Sequence, residues 1–316
     1  MPHAVVSTEY ARPPVVAIIE VPGREPGPGE VTLRVEAVSL NPYDLTQASG
    51  AVNPDPGRLP LRMASEAAGV VTAVGQDAIG MDGRPLVVGD TVFGQGLPGA
   101  AAEELTVKAA NLLHRPAGSD PAEAAGLLLV GATAAHAIEA ARVRKGDVVL
   151  VHGASGGVGS LAAQLALERG ATVIGTASSA HHDRLSRYGV QPVEYGDGLA
   201  DRVRAIAPDG VDAAIDTVGT QEALAVSLEL LHDPHRLVSI ANFRDVAPAG
   251  GQVIGGGPGA DPGTEIRRAA RPVLAKQLAA GALHVPIAAR FPLAEAQQAY
   301  DLLASGHAGG KVILIP

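Results

Sequence analysis

The sequence predicts an α/β fold in which a β-rich domain is interrupted by a domain with a doubly wound parallel sheet. Short strands separated by glycine and proline turns fill about the first 115 residues. Apolar strands then alternate with amphipathic helices to about residue 245, as in a parallel sheet with helical crossovers. A last apolar strand, around residues 309–315, can pair with the N-terminal strands, and the β-rich domain would then be split in sequence.

The N-terminal strands are indicated by alternation and by the turn residues that bound them. Residues 31–38 alternate between apolar and polar side chains, as in a strand with one buried face. Residues 68–75 and 89–94 are shorter apolar segments with glycine at their ends. Many short strands of this kind predict a small, strongly bent β-domain.

The parallel-sheet domain begins at a helix start signal. Asp120 is a favourable N-cap, Pro121 suits the first helical position, and Glu123 supplies the acid of a capping box. Continuous apolar segments then predict strands that are buried on both faces, at residues 148–151, 172–175, 213–215 and 236–240. The glycine- and proline-rich residues 247–263 predict a loop, and a helix is expected around residues 264–281.

The composition is that of a globular protein and argues against several classes of function. Hydrophobic residues make up 47% of the chain and charged residues 18%, which is too apolar for a disordered protein. The net charge of −9 disfavours a nucleic-acid partner, because phosphate binding needs clustered Lys and Arg. Cysteine is absent, which excludes disulfides, thiolate nucleophiles and cysteine-ligated zinc. Because neither a signal peptide nor an apolar membrane span is found, we expect a cytoplasmic protein without a membrane partner.

A glycine-rich turn at residues 153–159 lies directly between a buried strand and a helix that is expected to begin near Val158. This context is required of a dinucleotide-binding turn, where small residues let a pyrophosphate approach backbone N–H groups at a helix N-terminus. The alternative is a tight strand-to-helix connection without a ligand. With strand, turn, helix and second strand in order, the sequence favours cofactor binding by the following residues: Ala154, Ser155, Gly156, Gly157, Val158 and Gly159.

The residues after the second strand favour NADPH over NADH. An NAD site usually carries an acid about twenty residues after the turn, which binds the ribose 2′-hydroxyl. Here Ser178 stands at that strand end, and His182 and Arg184 follow, a set that suits a 2′-phosphate. Asp183 is expected to face away within the next helix. The alternative is that Ser178 caps this helix and that Arg184 is solvated.

Seven motifs, in order along nearly the whole chain, resemble one protein family. The chain is similar to the quinone oxidoreductase (zeta-crystallin-like), zinc-free branch of the medium-chain dehydrogenase/reductase superfamily. The motifs are Asn41-Pro42-x-Asp44, residues 65–71, Val88-Gly89-Asp90-x-Val92, residues 131–134, the glycine turn, residues 216–219, and Gly310-Lys311-Val312.

The resemblance implies a GroES-like β-domain interrupted by a Rossmann nucleotide-binding domain. We expect the GroES-like domain at residues 1–119, the Rossmann domain at 120–263, and a return to the GroES-like domain at 264–316. The family also implies an active site in the interdomain cleft and a homodimer. Further cofactor contacts implied by the resemblance are those of Val218, Gly219, Phe243 and Lys311, although Phe243 could equally be a core aromatic.

The same resemblance disfavours metal-assisted alcohol oxidation. Zinc-dependent relatives have a cysteine ligand where this chain has Asn41-Pro42, and a histidine before the acid where this chain has Ser65-Glu66. Their structural zinc lobe needs four cysteines, and this sequence has none. No metal is therefore expected, and the remaining chemistry is hydride transfer from NADPH.

Three residues are candidates for the catalytic groups. Asn41 could hold the nicotinamide ribose or the substrate carbonyl, or it could be a turn residue before Pro42. The resemblance places Thr133 near the nicotinamide. Relatives often have a tyrosine where this chain has Thr46, and Tyr43 is either its replacement or a packing residue.

The sequence therefore predicts an NADPH-dependent reductase of a small quinone or α,β-unsaturated carbonyl compound. A tailoring enoyl reductase of a biosynthetic pathway is a close alternative. Another alternative is an NADPH-binding protein with little turnover that acts as a structural or regulatory partner.

Overall fold

The computed structural model describes all 316 residues, Met1–Pro316, and divides into two compact units. One unit combines Met1–Leu129 with Pro272–Pro316, and the other is Val130–Arg271. The first unit is therefore discontinuous in sequence. The divisions expected from the sequence, after residues 119 and 263, fall several residues before those of the structure.

The N-terminal part of the first unit consists of strands and two short helices. The strands are β1 (His3–Ser7), β2 (Val16–Glu20), β3 (Glu30–Leu40), β4 (Leu61–Arg62), β5 (Glu66–Val74), β6 (Thr91–Gln95), β7 (Glu104–Lys108) and β8 (Leu112–His114). The helices are α1 (Pro42–Ala48) and α2 (Pro121–Ala125). The Asp120 carboxylate caps α2 by accepting a hydrogen bond from the Ala122 backbone N–H, as the sequence predicts.

The second unit is a parallel sheet with helical crossovers. Its elements are α3 (Leu128–Ala140), which begins in the first unit, β9 (Val148–His152), α4 (Gly157–Glu168), β10 (Thr172–Thr176), α5 (His182–Arg187), β11 (Gln191–Val193), α6 (Leu199–Ile206), β12 (Ala213–Asp216), α7 (Gln221–Leu230), β13 (Leu237–Ser239) and β14 (Gln252–Val253). The strand order is β11-β10-β9-β12-β13-β14, and every pair is parallel. This is the doubly wound order in which ligands bind at the carboxyl ends of the strands.

Strand β14 corrects one expectation. Residues 247–263 are predicted to be a loop, but Gln252–Val253 pairs with β13 at the edge of the sheet. The surrounding glycines and prolines hide a strand of only two residues, because so short a segment has no measurable alternation.

The C-terminal elements return to the first unit, as predicted. They are α8 (Thr264–Ala279), which begins in the second unit, β15 (Ile287–Pro292), α9 (Ala296–Ala304) and β16 (Lys311–Ile315). Strand β16 lies between β15 and β3 in a sheet ordered β15-β16-β3-β5-β6-β8, and β7 also pairs with β3. A separate sheet has the order β2-β1-β4. The split α/β architecture predicted from the sequence is therefore confirmed.

Short 3-10 turns and two aliphatic cores complete the fold. The turns are Pro56–Arg58, Ala109–Asn111, Ser179–His181, Pro234–Arg236 and Leu293–Glu295. Each unit buries its own cluster of mainly Ala, Val, Leu and Ile side chains. Aromatics are only 3% of the chain, so these aliphatic side chains supply most of the buried apolar area.

Candidate active site

The glycine turn joins the carboxyl end of β9 to the N-terminus of α4. Gly153 has a φ of +73°, which favours glycine. A Cβ at Gly159 would lie 2.2 Å from the Gly153 carbonyl oxygen. The start of helix α4 can therefore pack against Gly153 only because residue 159 has no side chain. Gly156 is the N-cap and has no side chain, so the first N–H groups of the helix receive no capping bond from this residue.

Neighbouring strands hold the turn in place. The Gly153 N–H donates to Thr176 Oγ1 at 3.0 Å, and the Ala154 N–H donates to the Thr176 carbonyl oxygen at 2.9 Å. From the other side, the Thr217 hydroxyl donates to the His152 carbonyl oxygen at 2.7 Å. The side chain of His152 is buried, and burial lowers its pKa to about 4, so the imidazole behind the turn is neutral at pH 7.

The residues that follow β10 lie against this turn. Arg184 Nη2 donates to the Ser155 carbonyl oxygen at 2.9 Å, and burial lowers the pKa of this guanidinium. His182 Nε2 lies 3.2 Å from the Ala177 carbonyl oxygen, which can only accept, so this nitrogen carries the proton. Ser178 is half-buried, and Asp183 is exposed in the first turn of α5. The structure therefore brings Ser155, Ser178, His182 and Arg184 to one end of β9 and β10.

The ends of β12 and β13 form the adjoining part of the same sheet edge. Asp216 Oδ1 accepts hydrogen bonds from the backbone N–H groups of Val218, at 3.0 Å, and Gly219, at 2.8 Å. Its second oxygen accepts a bond from Ser239 Oγ at 2.7 Å, which links the two strand ends. Val218 is 46% exposed, whereas Phe243 is half-buried against the core of this unit.

These residues fit a dinucleotide. A turn whose N-cap makes no side-chain capping bond supplies backbone donors at a helix N-terminus, where a pyrophosphate is stabilised. The end of β10 supplies a hydroxyl, an imidazole and a guanidinium, and its one nearby acid, Asp183, is exposed on the following helix. Tyr195, which the sequence analysis did not single out, follows the neighbouring strand β11 and is 51% exposed. Its place beside the end of β10 could be recognised only once the strand order was known.

A second polar cluster lies in the first unit, where β3 ends and both β5 and β16 begin. Ser39 of β3 is directly opposite Glu66 of β5, and Leu40 is opposite Val312 of β16. This register brings Asn41, Glu66 and Lys311 together, with exposed fractions of 1%, 0% and 3%. We call these residues, with Ser39, the buried network.

Hydrogen bonds join every member of the buried network. Asn41 Nδ2 donates to Glu66 Oε2 at 2.9 Å and to the Ser39 carbonyl oxygen at 3.3 Å. Lys311 Nζ donates to Asn41 Oδ1 at 2.5 Å and to the Leu40 carbonyl oxygen at 3.0 Å, and it lies 3.8 Å from Glu66 Oε2. Glu66 Oε1 accepts the backbone N–H of Leu129 at 2.7 Å. Burial raises the pKa of Glu66 and lowers that of Lys311, while their mutual attraction opposes both shifts.

Asp44 borders the buried network and shapes helix α1. Its Oδ2 accepts the backbone N–H of Asn41 at 2.8 Å at the start of the helix. Its Oδ1 is buried without a hydrogen-bond partner, as is the hydroxyl of Tyr300 on α9. Burial raises the pKa of Asp44 to about 7, although the Asn41 N–H and Lys311 oppose this shift.

The three catalytic candidates have different surroundings. Tyr43, in the first turn of α1, is 46% exposed, whereas Thr133, on α3, is 7% exposed. Asn41 has both ends of its amide engaged within the buried network. Thr46, where the resemblance implied a tyrosine, donates its hydroxyl to the Pro42 carbonyl oxygen at 3.3 Å.

The observed surroundings of Lys311 and Glu66 differ more from the sequence-based expectation than those of the other residues. Lys311 is predicted to bind the cofactor, but its ammonium is bonded within the buried network and the residue is almost inaccessible. The sequence motif assigns no role to Glu66, although an acid at the start of the apolar strand 66–74 is a signal, because a buried carboxylate needs a partner. Its partner could not be read from the sequence, since Lys311 lies at the other end of the chain.

Two further observations bear on the class of protein. No group of three or more His, Cys, Asp or Glu side chains has a geometry that could hold a metal ion. The longest helices are too short or too polar for a membrane-spanning segment.

Two family models match the chain. An alcohol dehydrogenase GroES-like domain matches residues 27–117, and a zinc-binding dehydrogenase domain matches residues 181–314. A quinone oxidoreductase from Pseudomonas aeruginosa is 32% identical, with 97% of each chain covered. A 2-haloacrylate reductase from a Burkholderia species is 31% identical, with 94% of each chain covered.

The solved structures agree in fold. A mycobacterial protein complexed with NADPH has a TM-score of 0.83 and 30% sequence identity over the whole of both chains. Sequence motifs, split architecture and relatives of matching length all lead to one assignment. The chain belongs to the quinone oxidoreductase branch of the medium-chain dehydrogenase/reductase superfamily of oxidoreductases.

Proposed function

We propose that the protein is an NADPH-dependent reductase that transfers a hydride to a quinone or an α,β-unsaturated carbonyl compound without a metal. The observation that carries this proposal is the glycine turn, whose N-cap Gly156 has no side chain and makes no capping bond at the N-terminus of α4. The identities of two relatives, a quinone oxidoreductase and a 2-haloacrylate reductase, support the substrate class. Both a quinone and a haloacrylate offer an electron-poor double bond to a hydride.

Two groups of residues would bind the cofactor. The backbone of residues 154–159 would bind the pyrophosphate, and Ser178, His182 and Arg184 would bind the ribose 2′-phosphate. Val218, Gly219 and Phe243 would line the nicotinamide side of the same sheet edge. The mycobacterial structure with bound NADPH supports the choice of cofactor. We add Tyr195 to the residues that would bind the 2′-phosphate, because it follows the strand next to β10.

The chemistry needs hydrogen-bond donors at the substrate oxygen. The dihydronicotinamide of the bound cofactor supplies the hydride, after which negative charge develops on that oxygen. Tyr43 has an exposed phenol and is our first candidate for the donor, with Thr133 as a second. Asn41 is less available because its amide is already bonded at both ends.

The decisive experiment is turnover with a panel of acceptors. NADPH oxidation followed by absorbance should be fast with a simple quinone or an enone and slow with a saturated aldehyde. Tight NADPH binding with no turnover of any acceptor would contradict the proposal.

Replacement of Tyr43 by Phe should lower kcat by roughly tenfold or more, within the range of a lost transition-state donor.

The choice of NADPH has its own prediction. Arg184→Ala should weaken NADPH binding by about tenfold, because one charge-assisted hydrogen bond is worth about 1.4 kcal/mol or more. The same substitution should weaken NADH binding much less, because NADH has no 2′-phosphate. Fluorescence titration with both cofactors measures the difference between the affinities for NADPH and NADH. Arg187→Ala, which removes an exposed arginine of the same helix, is the matched control. Equal affinity of the unmodified protein for NADPH and NADH would refute the assignment.

Two alternatives remain as proposals. A tailoring enoyl reductase would use the same cofactor site, and faster turnover of an enoyl thioester than of a quinone would identify it. An NADPH-binding protein with little turnover is favoured by one observation, namely that Thr46 replaces the usual tyrosine and bonds back to Pro42. The expected cytoplasmic location and the homodimer stay predictions.

A further inference from the structure

The side-chain amide of Asn41 is fully used inside the protein. Its Nδ2 group donates to Glu66 Oε2 and to the Ser39 carbonyl oxygen, and its Oδ1 accepts from Lys311 Nζ. Asn41 is 1% exposed. Both N–H groups are therefore used, and burial keeps a ligand from the remaining lone pair of the oxygen.

The charges on either side of Asn41 allow only one orientation of its amide. An ammonium can only donate hydrogen bonds, and an ionised carboxylate can only accept them. If the amide were flipped, so that Oδ1 and Nδ2 exchanged places, its N–H groups would face Lys311 and its oxygen would face Glu66. Both charged groups are buried, so this mismatch would be far more costly than at the surface.

Asn41 is also the residue at which helix α1 begins. Its backbone N–H is bonded to Asp44 Oδ2, and the Asp44 N–H is bonded to the Asn41 carbonyl oxygen at 2.9 Å. Tyr43 lies within this first turn and is 46% exposed. The side chain of Asn41 is thus anchored on one side to Glu66 and Lys311, while its backbone starts the helix that carries Tyr43.

We propose that Glu66 and Lys311 are positioning residues, which hold the Asn41 amide in one orientation and thereby fix the first turn of α1 with Tyr43. Asn41 then serves the reaction through this network, without touching cofactor or substrate. This inference rests on the proposed reductase function for its kinetic part. Its structural part stands on the hydrogen bonds of the buried network alone.

The test exchanges donor and acceptor between positions 41 and 66. Asn41→Asp alone places a carboxylate against Glu66, and Glu66→Gln alone leaves Lys311 without its buried counter-ion. In the double variant N41D/E66Q, the new amide at position 66 can accept from the Leu129 N–H with its oxygen and donate to the new carboxylate at position 41. Lys311 would then pair with that carboxylate, and the network would keep one cation and one anion.

We expect each single variant to lower the Tm by roughly 5 °C or more, and kcat/KM at 25 °C by about tenfold or more. Amide hydrogen exchange in residues 42–48 should become faster in both. The double variant should recover much of all three properties, because the two changes compensate each other. Glu20→Gln, which neutralises an exposed glutamate at the end of β2, is the control and should change none of them.

Three results would overturn the inference. Recovery of the Tm without recovery of kcat/KM would show that the Asn41 amide itself contacts cofactor or substrate. Single variants that lose Tm but keep kcat/KM within about twofold would show a purely structural role. A double variant as unstable as the singles would show that the pairing is wrong. If the unmodified protein reduces no acceptor, the proposed function fails. The Tm and hydrogen-exchange results then still decide whether Glu66 and Lys311 hold Asn41 and the first turn of α1 in place, so the two failures can be distinguished.

Discussion

At the residue scale, Asp44 shows how one buried carboxyl can couple stability to pH. One of its oxygens accepts the Asn41 N–H at the start of α1, and the other is buried without a partner. Lys311 and Glu66 face it from β16 and β5, and Tyr300 from α9. Burial is the largest of these influences and raises its pKa to about 7 from the ordinary value of 3.8.

The sign of the resulting pH dependence follows from the two pKa values. The unfolded chain releases this proton near pH 4 and the folded protein near pH 7, so the folded state binds more protons between them. The free energy of unfolding therefore falls as the pH rises through this window. The raised pKa of Glu66 acts in the same direction.

Asp44→Asn should remove much of this decline, because an amide cannot ionise and its oxygen can still accept the Asn41 N–H. From about pH 5 to about pH 8, the unmodified protein should lose on the order of 2–3 kcal/mol more stability than the variant. Urea unfolding at both pH values measures the difference. Asp183→Asn, at an exposed position, is the control. Equal pH slopes for the protein and its Asp44 variant would contradict the assignment.

At the scale of the element, the glycine turn separates a requirement of folding from a requirement of binding. A Cβ at Gly159 would lie 2.2 Å from the Gly153 carbonyl oxygen, a backbone atom that cannot move aside cheaply. A Cβ at Gly156 would approach nothing closer than that same oxygen at 3.4 Å, and the φ of −73° suits alanine. The two glycines are therefore needed for different reasons.

Paired substitutions test this distinction. Gly159→Ala should destabilise the protein by about 1–3 kcal/mol, as expected for overpacking. Gly156→Ala should leave the Tm within a few degrees, yet weaken NADPH binding, since the added methyl group would stand where the pyrophosphate approaches the backbone. Thermal unfolding and NADPH titration of both variants give the result. If Gly156→Ala binds NADPH as tightly as the unmodified protein, the turn is not the pyrophosphate site.

At the scale of the whole molecule, the C-terminal strand completes a sheet that begins near the N-terminus. Strand β16 lies between β15 and β3, and it also carries Lys311. Its loss would expose the hydrogen-bonding edge of β3 and leave the carboxylate of Glu66 buried without its cation.

Deletion of residues 311–316 should therefore prevent the first unit from folding, because several kcal/mol are lost from a typical total of 5–15 kcal/mol. Circular dichroism and limited proteolysis should show a chain that is cleaved readily within residues 1–129. Removal of Met1, which precedes β1 and is 75% exposed, is the control and should have little effect. A deletion variant with full protease resistance would contradict this account of β16.

The sequence by itself determined the local features of this protein. Asp120-Pro121 marks a helix start, the glycines of residues 153–159 mark a tight strand-to-helix turn, and apolar segments mark the parallel strands. These features were predictable because their physics acts within a few residues, through capping, backbone freedom and hydrophobic periodicity. The lack of cysteine likewise limited the metal chemistry directly.

Only the tertiary structure decided how distant polar residues pair. The register of β3 with β5 and β16 brought Asn41, Glu66 and Lys311 together, and it buried a lysine that the motif alone suggested for the cofactor. The same applies to Tyr195, whose place depends on the order of the strands. The cost of a buried charge depends on its three-dimensional partners, and partners far apart in the chain leave no local pattern.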